Sequence, residues 1–202
     1  GGRMIIGVTN IKGGVGKTTS SLAIATAAQR SGLSVTVVDT DPQGSATLWA
    51  QAAEDADDPL PFPVVSRNQA EIRRMRERRP DRNGELIVID TPPNGSVVDE
   101  AIKTADFVVI PTLSSPIDLQ QTMLTAAQCQ DAGKDYAVLI VMARKGTNAL
   151  RAFRTAVEEY GAGIFDTEIP LREDFKADFG HTFRSNLNGY EDVWNELRGE
   201  LR

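Results

Sequence analysis

The sequence predicts an α/β domain, a doubly wound and mostly parallel sheet flanked by helices. Three observations point there. Short β-rich runs alternate with longer helical patterns along the whole chain. Three of those runs, Val35-Thr36-Val37-Val38, Leu86-Ile87-Val88-Ile89 and Val138-Leu139-Ile140-Val141, are almost wholly apolar, as strands covered on both faces are. Gly32, Gly133 and Gly161 each fall just past a helical pattern, where a left-handed residue ends a helix.

In order, the strands are expected at Met4–Thr9, Ser34–Asp39, Glu85–Asp90, Asp106–Pro111 and Tyr136–Met142. The helices are expected at Lys17–Ser31, Ser45–Glu54, Gln69–Arg79, Val97–Thr104, Asp118–Asp131, Asn148–Tyr160 and Gly189–Leu201. The acidic, proline-bearing stretch Asp55–Pro63 reads as a loop within one domain, because a following strand completes the same pattern. Residues 4–202 form that single domain, and Gly1-Gly2-Arg3 before Met4 resemble an expression scar.

Composition narrows the class. A chain of 202 residues, 41% hydrophobic, has room for one sizeable core. One cysteine, Cys129, supports no disulfide framework and points to a reducing cytoplasm. No apolar run approaches the roughly 20 residues of a spanning helix, and the start lacks a signal-peptide pattern. The net charge of -6 means that any nucleic-acid contact must come from a local basic patch.

The chemistry concentrates at three strand ends. After the first strand comes Lys12-Gly13-Gly14-Val15-Gly16-Lys17-Thr18-Thr19. Gly13, Gly14 and Gly16 let backbone amides converge on an anion without a Cβ in the way. Lys17 can then reach β/γ-phosphate oxygens, Thr18 offers a hydroxyl to Mg²⁺, and the following helix points its N-terminus at the phosphates. Lys12 is surplus to that pattern. Its plainer reading is an exposed loop lysine; its sharper one is a cation aimed at a neighbour's nucleotide. The second strand ends in Asp39-Thr40-Asp41-Pro42-Gln43-Gly44, two carboxylates that leave a strand end in different directions. The third apolar strand ends in Asp90-Thr91-Pro92-Pro93, placing Asp90 to hold a metal's water shell.

These residues resemble the ParA/MinD family of P-loop ATPases with a deviant Walker A motif, in particular the short plasmid-type ParA partition proteins. The resemblance is dense from Met4 to Asp118 and looser beyond. It implies that two chains sandwich two ATP molecules, with Lys12 of each touching the other's phosphates, as an arginine finger does. It further implies that Asp39 belongs to the Mg²⁺ environment, that Asp41 orients the attacking water, and that Gly95 senses the γ-phosphate. Arg144 and Pro170 would pack the adenine base. Pro111–Asp118 resembles a proline-bearing segment near the dimer interface, with Ser115 or Asp118 as a helix cap on the plainer reading.

The function implied is an ATP-driven partition ATPase. Its ATP-bound dimer would bind DNA without sequence preference and associate with the nucleoid, and a partner protein bound to cargo or centromere would stimulate hydrolysis. Two sets of cations are candidates for the DNA contact. One is Lys145, Arg151, Arg154, Arg172, Lys176 and Arg184. The other is the crowd of Arg67, Arg73, Arg74, Arg76, Arg78, Arg79 and Arg82, whose plainer reading is a solvated helix face with ion pairs at helical spacing. A membrane-cycling or protein-cargo positioning ATPase is the alternative. The acid-rich segment 190–202 disfavours a membrane-binding basic helix. An iron–sulfur relative would need two cysteines per chain. His181 and Cys129 read as structural.

Overall fold

The computed structural model describes residues 2–78, 84–176 and 178–201. Six strands form one all-parallel sheet: β1 (Met4–Val8), β2 (Ser34–Asp39), β3 (Val64–Ser66), β4 (Glu85–Asp90), β5 (Phe107–Thr112) and β6 (Asp135–Ile140). Their order across the sheet is β3-β2-β4-β1-β5-β6. Among the described residues eight helices connect and cover them: α1 (Lys17–Arg30), α2 (Ser45–Asp55), α3 (Gln69–Glu77), α4 (Ser96–Thr104), α5 (Pro116–Asp131), α6 (Asn148–Glu159), α7 (Glu173–Lys176) and α8 (Tyr190–Glu200).

Alternation along the strands divides the core into two faces. Ile6, Val8, Val37 and Val88 pack beneath α1, α2 and α8, while Ile5, Val38, Ile87 and Ile89 meet α3 and α4 on the other face. A third cluster joins Val108, Ile110, Val138 and Ile140 to α5 and α6. Both faces are therefore dry, which is why the strands read as unbroken apolar runs. The central helix α1 is buried nearly all round, because α8 lays Tyr190, Val193, Trp194 and Leu197 over its outer side. The three glycines expected to end helices, Gly32, Gly133 and Gly161, all have positive φ.

Where the structure departs from the sequence expectation, the reasons are local. β3 is a three-residue, partly exposed edge strand, too short to stand out as a run. α5 starts two residues before Asp118, because Ser115 and Asp118 form a reciprocal capping box with Pro116 in the first turn. β6 ends at Ile140; Val141 N still bonds Thr112 O of β5 (2.9 Å), and the chain turns away at Met142, which takes φ 50°. Beyond β6, residues 163–171 run alongside it through bonds such as Val138 N to Gly163 O (2.8 Å) and Ile169 N to Ile140 O (2.9 Å). The four-residue α7 carries no sequence period. Arg79 and Arg82 lie outside the described residues, as does the Lys176 side chain.

Candidate nucleotide site

The strand order makes the site. β4 lies between β2 and β1, so the loop after β1, the acids after β2 and the acid ending β4 are neighbours at one sheet edge, although they are far apart in sequence. Asp39 and Asp90 are partners in register. Carboxyl ends of parallel strands are where open α/β sheets bind ligands.

The loop between β1 and α1 folds back through Gly14 (φ 74°) and Gly16 (φ 73°), conformations that side chains resist. Val15 anchors it, being fully buried. Asn10 fastens its base: its amide donates to Pro111 O (2.9 Å) and Thr122 Oγ1 (3.2 Å), and its carbonyl accepts from Lys12 N (3.3 Å). Lys17 is nearly buried, and its ammonium donates to Asn10 O (3.2 Å) and Lys12 O (3.0 Å). Burial lowers the Lys17 pKa, against the opposing pull of Asp90 and Asp41.

Asp90 is 1% exposed. It accepts from Thr18 Oγ1 (2.7 Å) and Ser21 Oγ (3.1 Å). Burial, helped by the nearby Asp39 charge, pushes its carboxyl up to about 7 despite those two donors and Lys17. Asp39 is pinned on both oxygens: Oδ1 accepts from Asp41 N (3.1 Å), while Oδ2 accepts from Thr47 N (2.9 Å) and Thr47 Oγ1 (2.7 Å). Asp39 thus caps α2, whose own N-cap is Gly44 with no side chain to offer. Asp41 is half-buried, and its Oδ1 accepts from its own turn at Gln43 N (2.9 Å). Hydroxyl and carboxylate oxygens, without a sulfur or imidazole, suit a hard cation such as Mg²⁺, which takes one or two carboxylates and completes its shell with water and phosphate. Among the described residues no group of three or more His, Cys, Asp or Glu side chains gathers as a metal site on its own.

Lys12 is paired within its own chain. Its ammonium contacts Asp118 Oδ1, with the Lys12 side chain 32% exposed and that of Asp118 1%. Burial pushes the Asp118 carboxyl up, but the hydrogen bonds from Lys12 and Ser115 outweigh it and hold the group below its ordinary value. Sequence spacing offered Asp118 only as a cap; the ion pair spans 106 positions and no local pattern announces it.

Beside Gly16 and Thr19 lies a mainly apolar cavity of about 180 Å³, walled by Trp49, Met142, Pro170, Phe175, Phe179 and Tyr190 among others. Of the two residues expected to pack a base, Pro170 lines it and Arg144, which is exposed, does not. Trp49 and Met142 also line it, and neither belongs to a sequence motif. Gly95 precedes α4 with φ 107°.

The basic candidates do not act alike. Arg154 turns inward to Glu168 (3.0 Å) and Phe165 O (3.0 Å). Arg151 is exposed and bonds Gly146 O (3.3 Å) and Asn148 in its own turn. Lys145 and Arg172 line an open cavity shared with Asp166, Glu168 and Asp192, and Arg184 sits 3.4 Å from Asp178. On α3, Arg73 (3.4 Å) and Arg76 (2.7 Å) both hold Glu100 of α4; Arg74, and Arg78 at the helix end, are exposed. Among the described residues of this stretch, the helical-spacing pair of the plainer reading is Arg67–Glu71 at 3.9 Å.

A fold of this topology, with a phosphate-type loop and acids at neighbouring strand ends, defines a nucleotide-binding α/β protein. Residues 6–182 match the CobQ/CobB/MinD/ParA nucleotide binding domain, and the chain belongs to that family. It is similar to the maintenance of carboxysome distribution protein A of Gloeobacter kilaueensis, 34% identical over 82% of this chain and 76% of that one. The protein of the same name from Halothiobacillus neapolitanus is 29% identical over 85% and 81%. Among solved structures, a plasmid partition protein from Borrelia burgdorferi superposes with a TM-score of 0.67 and 17% identity, covering 99% of this chain and all of that one.

Proposed function

We propose that this chain is a Mg²⁺-dependent ATPase whose ATP-bound form pairs face to face with a second copy and positions a cargo. The observation that carries the reading is the convergence of Lys12, Lys17, Thr18, Asp39, Asp41 and Asp90 at the carboxyl ends of three adjacent strands.

Each residue's part follows from its surroundings. The amides around Gly13, Gly14 and Gly16 and the N-terminus of α1 receive the phosphates. Lys17, already among loop carbonyls, supplies charge to the β/γ oxygens. Thr18 would ligate Mg²⁺ directly, with Asp90 and Asp39 holding its waters; the ion would neutralise phosphate charge. Asp41, least encumbered of the three acids, orients the attacking water. Lys12 exchanges Asp118 for the phosphates of the second copy, so hydrolysis depends on pairing.

The cargo is a protein assembly or a DNA molecule carried by a bound partner protein. The names of two relatives refer to carboxysome distribution, which favours protein cargo; the plasmid partition neighbour supports the DNA reading. In either case the paired form binds DNA as its track. A membrane track fits less well: α8 buries its apolar face on α1, and among the described residues no helix is long and apolar enough to cross a membrane.

Parallel titrations and rate assays test the reading. Lys17→Ala is expected to weaken ATP binding by about a hundredfold. Lys12→Ala should bind ATP with near wild-type affinity and hydrolyse it about a thousandfold more slowly. A Lys12→Ala protein with the wild-type rate would defeat the trans-lysine mechanism.

A further inference from the structure

The apolar cavity beside Gly16 is connected to the acid loop by one helix. Trp49 lines it from α2 and is 3% exposed. Its indole N–H donates to His181 O (2.8 Å), and its ring lies 5.2 Å from Phe179 and 5.3 Å from Phe183. Phe183 stacks on Phe175 at 5.4 Å, and Phe175 on Tyr190 at 6.0 Å. The Tyr190 hydroxyl then shares a 2.8 Å hydrogen bond with Ser20 Oγ, one residue beyond Thr19 on α1. Five rings therefore link α2 to α1 through α8, and four of them, Trp49, Phe175, Phe179 and Tyr190, line the cavity.

The other end of the same stretch of α2 holds the acids. Thr47, two residues before Trp49, gives Asp39 both its amide and its hydroxyl. Gly44 N bonds Asp41 O (2.9 Å), and Leu48 N bonds Gly44 O (2.8 Å). The segment bearing Phe179 lies flush on α2: a Cβ at Gly180, where φ is +76°, would come within 3.1 Å of Ala52 Cβ. Close-packed contacts of this kind transmit small displacements instead of absorbing them.

We propose that Trp49 is a positioning residue: a flat heteroaromatic base filling the cavity sets, through Trp49 and the first turns of α2, the placement of the Asp39–Asp41 loop. This rests on the nucleotide reading above and adds that the base, not only the phosphates, prepares the chain for hydrolysis. A polyphosphate without a base satisfies the glycine loop and Lys17 but leaves the aromatic wall unengaged.

The test separates base from phosphate. The chain has two tryptophans, Trp49 and Trp194, so Trp194→Phe makes fluorescence report Trp49 alone. Mg·ADP is expected to shift its emission, and Mg·pyrophosphate at saturation is expected to leave it unchanged. In steady state the wild type should hydrolyse Mg·ATP with a kcat about tenfold or more above that for Mg·tripolyphosphate. Trp49→Leu should erase most of that ratio through kcat, with calorimetric ADP affinity changed less than about fivefold. Trp49→Phe, which keeps a ring, should recover a substantial part. Should Trp49→Leu fail to fold by circular dichroism, the emission arm and Trp49→Phe decide the matter. Silent Trp49 emission while calorimetry shows ADP bound, or a Trp49→Leu protein with the wild-type ratio, overturns the coupling and leaves the ATPase reading standing. Absence of any ADP binding by the wild type overturns both.

Discussion

At the residue scale, Asp118 does two jobs with one carboxylate. It completes the capping box of α5 with Ser115 and holds the Lys12 ammonium. Asp118→Ala should lower stability by about 2 kcal/mol, from the lost cap and hydrogen bonds. The sign of its pH dependence follows from its depressed pKa. The stabilising contribution is full above the unfolded-state value of about 3.9 and fades as pH falls through the lower folded value. Urea melts of wild type and Asp118→Asn at several pH values check this: the gap between them should be constant near neutrality and narrow in acid. A gap that widens in acid would contradict the assignment. Arg154 shows how far a residue's type underdetermines its part. Sequence placed it among DNA-contacting cations, yet it is 22% exposed and engaged with Glu168 and Phe165 O. Arg154→Ala should therefore cost about 1–3 kcal/mol of stability, visible as a lowered urea midpoint, whereas Arg151→Ala on the exposed turn should leave the midpoint nearly unchanged.

At the scale of elements, what the sequence made legible is what burial and local geometry enforce. A strand dry on both faces can only be apolar, so β1, β2, β4, β5 and β6 announced themselves, and Gly14 and Gly16 marked a backbone that must reach positive φ. The acids at the ends of β2 and β4 were legible because each interrupts an apolar run abruptly. The elements that escaped, β3 and α7, are three and four residues long, shorter than the period needed to recognise them. Also hidden were the contacts that tie elements together: Lys12 with Asp118, Asp39 with Thr47, and Trp49 with the cavity. Each arises from packing between elements, and the side chains involved have no motif of their own. The Asp39–Thr47 pair yields a prediction for α2. Thr47→Val keeps the shape and the backbone bond but loses the hydroxyl bond to Asp39, so it should cost about 1 kcal/mol and slow ATP turnover more than it weakens ATP binding. Equal losses in both would argue that Asp39 is not held in place by α2.

At the scale of the whole molecule, charge opposes one expected interaction and pairing can restore it. A single chain of net charge -6 repels duplex DNA at long range. Among the described residues the exposed cations are scattered: Arg74 on α3 and Arg78 at its end form one small group, and Arg144, Lys145 and Arg151 before and within α6 form another. Two copies present twice that surface to one duplex, so DNA binding should require ATP and Mg²⁺. It should also be indifferent to sequence, and fall on the order of a hundredfold between about 50 and 200 mM salt. Gel shifts with ATP against ADP across that range measure it, and equal binding with both nucleotides would separate DNA from the nucleotide cycle.

Pairing under ATP is the claim on which the trans-lysine, the DNA track and the cargo cycle all depend. Light scattering on Asp41→Ala reads it most directly, since that variant should bind Mg·ATP and keep it unhydrolysed. The predicted result is a mass twice the 21.9 kDa of one chain with Mg·ATP and the mass of one chain with Mg·ADP. A protein that binds Mg·ATP and stays at the mass of one chain would contradict the account.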